Sequence, residues 1–192
     1  MNKKNLIKII EKVLYYTIGY IWYFSIYLVL IPYIIYLLGR NLDALVLNYL
    51  LGLSSVFYFG FISIIIASII ALLGLSLIAW SFYVLYFYAK CFPFAACPFI
   101  HFNPKKLATY GPYSLIRHPM TLGYLFLLIA FGVYMGSIML VVWIIPIVGI
   151  IFYEYIKHRE ERRLALWFGK EFEQYKQKTP MLIPNFFKSK KD

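Results

Sequence analysis

Residues 119–153 read PMTLGYLFLLIAFGVYMGSIMLVVWIIPIVGIIFY, 35 positions without a Lys, Arg, Asp or Glu. A helix rises about 1.5 Å per residue and a bilayer's hydrocarbon core is about 30 Å thick, so this run is too long for one crossing. Gly132, Gly136 and Ser137 near its middle predict a hairpin of two helices. Each arm would have only about 15 residues, short for a span, so the second arm is expected to run on past Tyr153 into water.

Two more charge-free runs lie upstream. Residues 13–38 are 26 positions long and 44–89 are 46. The first suffices for one span, which Pro32 is expected to kink. It is too long for a signal-peptide core, and no small-residue cleavage site follows. The second is too long for one straight helix. Either it folds back as a hairpin or its first third lies at the interface, with weak break points at 52–55 and at Gly60.

Of the 192 residues, 62% are hydrophobic and 14% charged, against about 25% charged in soluble domains. This composition excludes a soluble globular protein, a disordered chain and a nucleic-acid-binding domain. The formal charge of +11 instead flanks a membrane bundle: ten Lys and Arg follow Tyr153, and four Lys lie in the first 12 residues. The C-terminal tail and the segment 90–118, with Lys90, Lys105, Lys106 and Arg117, are therefore expected in the cytoplasm. The expected fold is all-α, a polytopic transmembrane helix bundle in a single membrane domain, with a cytoplasmic C-terminal helix and tail. Length favours five spans; the N-terminal lysines favour the alternative of four.

Cys91 and Cys97 have neither a zinc spacing nor a second pair, so no metal site is expected, and they read as small apolar residues. His101 has no assigned role. His158 follows Glu154 by four residues and reads as a surface pair. His118 differs. With Arg117 before it and Pro119 after it, it stands where a loop enters the membrane at a helix N-terminus, a setting that favours anions. A ligand site and a basic anchor against lipid phosphates are equally open on this ground.

After the last span, Tyr153, Ile156, Leu164 and Trp167 fall on one helical face, and Glu160 falls among them. Glu161 falls on the next stripe, with His158, Ala165 and Phe168, where an exposed charged face explains it. A carboxylate on an apolar stripe needs a partner. Antiparallel packing of the hairpin would bring Glu160 near Arg117 and His118; Arg162 and Arg163 are the nearer cations in sequence. A plain interhelical salt bridge and a polar ligand pocket both satisfy this pattern. Gly169 is expected to break the helix, and Thr179 with Pro180 to end it. The apolar 181–187 should fold back on the bundle or lie in the interface.

Gly111, Pro112 and Tyr113, then Arg117, His118 and Pro119, then Gly123, the pair Glu160 and Glu161, Phe168 and Gly169, Tyr175, and an ending with Pro180 and Pro184 stand in an order that resembles the isoprenylcysteine carboxyl methyltransferase and phospholipid methyltransferase superfamily. The resemblance spans about residues 105–185; Thr121 departs from it, where an aromatic is usual. It implies a methyltransferase with S-adenosylmethionine as donor, bound on the cytoplasmic side, and a lipophilic acceptor entering from the bilayer: the carboxylate of an isoprenylcysteine-like substrate or a phospholipid amine. It also implies a cofactor-binding catalytic core at 90–192, after variable N-terminal spans at 1–89. Carried over, Arg117, Glu160 and Arg163 would be catalytic. Tyr113, Arg117, His118, Pro119, Gly123, Glu160, Glu161, Tyr175, Pro180, Leu182 and Pro184 would hold the cofactor. The rivals are a membrane reductase using NADPH, resembling sterol reductases over the same block, and a non-catalytic membrane subunit.

Overall fold

The structure is a computed structural model that describes residues 25–50, 60–90 and 106–184, with scattered positions from 11 to 22. Cys91, Cys97, His101, Lys105 and the last eight residues lie outside the described residues, as does the expected break at 52–55. Among the described residues the chain is helical, with no strand.

Helix α1 (Ile31–Leu42) is extended by π-helical turns at Ile26–Leu30 and Asp43–Leu50. The helix therefore carries on through Arg40 and Asp43, beyond the expected end of the first charge-free run at residue 38. Asp43 is buried at the far end, where its carboxylate caps another helix (below). Helix α2 (Phe61–Phe87) begins directly after Gly60, whose φ of 57° is the left-handed conformation that stops a helix from running through. Its apolar side chains are largely exposed, as a lipid-facing helix requires.

Helix α3 (Pro112–Leu115) is a single turn, followed by α4 (Pro119–Met135), α5 (Ile145–Tyr155), α6 (Glu161–Phe168) and α7 (Lys170–Lys178). The hairpin is present: α4 ends at Met135, Gly136 at φ 63° closes it, and the next helical rod runs Leu140–Phe168. Three described helices, Ile26–Val46, Phe61–Phe87 and Leu140–Phe168, are long and apolar enough to cross a membrane, and Pro119–Met135 is a shorter fourth.

Contacts fix the directions. Gly74 meets Phe126 and Leu127 while Ile78 meets Gly123, so α2 and α4 are antiparallel. Tyr27 meets Tyr124 and Tyr36 meets Phe131, so α1 runs parallel to α4. Gly132 meets Ile145 while Gly149 meets Leu125, so α5 returns antiparallel. Ile35, Leu128, Leu140, Ile144 and Ile145 form the core of this packing. The end of α2, the start of α4 and the end of the long rod thus share one end of the bundle. At the other end, Asp43 Oδ1 accepts the Met139 N–H at 3.0 Å, pairing a donor at the start of the rod.

The tightest crossing is glycine on glycine. A Cβ on Gly74 would stand 2.7 Å from the Gly123 carbonyl oxygen, and one on Gly123 would stand 2.8 Å from that of Gly74. Small residues let membrane helices approach to backbone contact, where dispersion and not hydrophobicity holds them.

The rod is not a uniform α-helix. π-turns occupy Leu140–Ile144 and Ile156–Glu160, marked by N–H bonds from Ile145 to the Leu140 carbonyl and from Glu161 to that of Ile156. Pro32 and Pro146 each come second after a π-turn, where the wider coil relieves the clash of the ring with the preceding turn.

Candidate functional site

The second π-turn sets the site. An i→i+5 turn inserts one residue, so the stripe below Ile156 continues at the fifth residue instead of the fourth. Ile156 and Glu161 are both buried, at 2% and 4% exposure, while the Glu160 side chain is 25% exposed. This corrects the α-helical reading, which puts Glu160 on the apolar stripe and Glu161 on an exposed face.

Opposite these carboxylates stands the start of α4. Pro119 opens the helix and His118 is its N-cap residue. Arg117 donates to Glu161 Oε1 from Nε at 2.8 Å and from Nη2 at 2.5 Å. Its Nη1 donates to the carbonyl of Lys176 at 3.2 Å and to that of Thr179. His118 Nδ1 lies 3.3 Å from Glu160 Oε2. His118 Nε2 is buried with no hydrogen-bond partner, 3.7 Å from Glu161 Oε1 and so out of bonding range. Lys176 Nζ completes the cluster, 3.3 Å from Glu161 Oε2. Burial works against a charge on His118, but Glu160 and Glu161 outweigh it and raise its pKa above 6.5.

The C-terminal segment closes over this cluster. Helix α7 follows Gly169, which sits at φ 51°, and ends at Lys178, as expected from Thr179 and Pro180. The Arg117 N–H then donates to the Pro180 carbonyl at 2.9 Å and the His118 N–H to that of Met181 at 3.1 Å. Leu182 is buried, while Pro180 and Pro184 are half-buried. Phe172 and Tyr175 pack with Leu107 and anchor α7. The Tyr175 hydroxyl donates to the Tyr113 carbonyl at 2.6 Å, and burial raises its pKa above the ordinary phenol value.

Residues 62–171, more than half of the chain, match the sequence model of the phospholipid methyltransferases. The chain belongs to the phospholipid methyltransferase family. It is thus a membrane methyltransferase by family. No curated protein and no solved structure matches it.

The family block takes in α2, upstream of the resemblance read from the motifs, and stops at 171, before the closing segment. Within the block the structure brings Tyr113, Arg117, His118, Pro119, Glu160 and Glu161 to one end of the bundle. Tyr175, Pro180 and Leu182 join them from beyond it. Two other expected site residues have contacts of their own. Gly123 lies in the crossing with Gly74, and Arg163 holds its guanidinium 5.7 Å from the Trp167 ring. Lys176 is the member that the sequence reading missed. Its spacing from Glu161 reflects the break at Gly169, after which helical periodicity no longer relates the two.

Proposed function

We propose that this chain is an S-adenosylmethionine-dependent methyltransferase acting on a lipophilic acceptor at the end of the bundle where α4 begins. The observation that carries the reading is His118 Nε2, a buried polar nitrogen left without a hydrogen bond beside a partly exposed Glu160. A buried unpaired donor costs free energy unless a ligand completes it. The donor set fits the cofactor. A protonated His118 offers Nε2–H to the methionine carboxylate, and Glu160 offers acceptance to its ammonium or to ribose hydroxyls. Leu182, with Pro180 and Pro184, supplies an apolar cover for the adenine, and Tyr113 and Tyr175 brace that cover.

S-adenosylmethionine, when bound, supplies an activated methyl group on a sulfonium. The protein's part is alignment and exclusion of water, which in well-oriented pairs is worth roughly 7–11 kcal/mol of barrier. The carboxylates at the site favour a phospholipid amine over an isoprenylcysteine carboxylate: an anionic acceptor is repelled, whereas an amine arriving as ammonium attacks once its proton has passed to a carboxylate or to water. The name of the family agrees. The core runs over 90–192 with α2 as its membrane wall. The Lys/Arg excess after Tyr153 supports a cytoplasmic site. A reporter fused to the N-terminus decides between five spans and four.

The test is transfer of label from S-adenosylmethionine to phosphatidylethanolamine and to a prenylcysteine, with calorimetry of S-adenosylmethionine against NADPH. Label on the phospholipid is expected. Binding of NADPH alone would favour the reductase and end the proposal.

A further inference from the structure

Arg117 carries five N–H donors in a planar fork, and four of them are spent on the protein: two on Glu161 Oε1 and two on the carbonyls of Lys176 and Thr179. Glu161 is engaged on both oxygens, since Oε2 faces Lys176 Nζ at 3.3 Å. The Arg117 and Glu161 side chains are only 8% and 4% exposed. A cofactor carboxylate arriving at Arg117 would have to displace one buried charge from another, a costly exchange. His118 Nε2 makes no hydrogen bond and stands 3.7 Å from Glu161 Oε1, so it can take a new acceptor without breaking one.

Resting on the methyltransferase reading, we infer that the four ionisable residues divide their work. Arg117 and Glu161 are positioning residues, a clasp that seats the closing segment 176–184. The cofactor's polar groups are left to His118 and Glu160. The clasp acts at three places. It holds the end of the long rod through Glu161. It caps the C-terminal carbonyls of α7, where a cation is favoured. It also stands beside the two backbone bonds, Arg117 N–H to Pro180 and His118 N–H to Met181, that tie the segment to the start of α4. Those two amides lie on the residues that aim the imidazole, so a loosened segment also releases His118.

The test uses the full chain in detergent. Hydrogen exchange of the Arg117 and His118 amides is followed without cofactor, beside the KM and kcat for S-adenosylmethionine. Arg117→Lys keeps the charge but loses the fork. It should speed exchange of the two amides about tenfold, the worth of one charge-assisted hydrogen bond. KM should rise by a similar factor while kcat at saturation holds, because bound cofactor reseats the segment. Glu160→Gln should raise KM and leave exchange unchanged. Lys176→Ala, at an exposed residue, gives a milder shift in the direction of Arg117→Lys and serves if that variant does not fold. Raised KM with unchanged amide exchange in Arg117→Lys, or in Lys176→Ala in its place, would make Arg117 a direct ligand and overturn the inference. If the parent binds no S-adenosylmethionine, the functional reading fails, and amide exchange alone still decides whether the clasp exists.

Discussion

Glu160 and Glu161 are adjacent in sequence, and neutralising each should have very different effects on stability. Glu161→Gln keeps the shape and removes the charge. The carboxylate it removes is 4% exposed and takes two donations from an Arg117 side chain that is 8% exposed. Breaking a buried pair by one partner costs about 3–5 kcal/mol, because the other charge stays behind uncompensated. Against a total folding stability of roughly 5–15 kcal/mol this is a large fraction. Glu160→Gln loses the pairing with His118, which is 25% exposed on the Glu160 side, and His118 keeps Glu161 3.7 Å away, so roughly 0–1 kcal/mol is expected. Denaturant unfolding of both variants in the same micelle, at a pH where His118 is charged, measures the difference. Equal losses, or the larger loss at Glu160, would show that the helix runs through Ile156–Glu160 as an unbroken α-helix and that the π-turn is absent.

Three further outcomes can be checked. Gly123→Ala places a methyl 2.7 Å from Ile78 Cγ1 and 2.8 Å from the Gly74 carbonyl oxygen, which should cost about 1–3 kcal/mol. A melting temperature equal to the parent's would contradict the close crossing. The raised pKa of His118 makes its charged form favoured by folding, so that contribution is complete below pH 6.5 and fades as pH climbs through the higher folded-state value. Stability should therefore fall on the alkaline side of 6.5, and His118→Gln should flatten the profile; an unaltered profile in that variant would refute the pairing with the glutamates. Asp43→Ala removes the acceptor of the Met139 N–H and should cost about 0.5–2 kcal/mol, with Asp43→Asn recovering most of it. Equal stability of the parent and Asp43→Ala would rule the cap out.

Much of the fold is legible because bilayer thickness turns charge spacing into helix length. The hairpin break at Gly136, the start after Gly60, the break at Gly169 and the stop at Lys178 all follow from residues that end helices. The first helix was harder. Arg40 and Asp43 look like the end of a span, yet Asp43 is buried as a cap, a tertiary role that no local pattern shows. At the site, the meeting of His118 with Glu160 follows from antiparallel packing. Which carboxylate is buried does not, because one inserted residue in a π-turn rotates everything after it and leaves composition unchanged. Nor do the carbonyls that hold Arg117, since backbone oxygens carry no sequence signature.

The contact of Gly74 with Gly123 bears on how the proposed lipophilic acceptor would reach the site. Backbone lies against backbone there, and Ile78, Phe126 and Leu127 pack tightly against the two glycines. A hydrocarbon tail needs a gap wider than such a contact, and prying the helices apart would forfeit their dispersion energy. The seam between α2 and α4 is thus a closed wall. On the proposed reading, an acceptor from the bilayer passes around one of the outer flanks of this pair, and bulkier residues at positions 74 or 123 would open a seam that is now sealed.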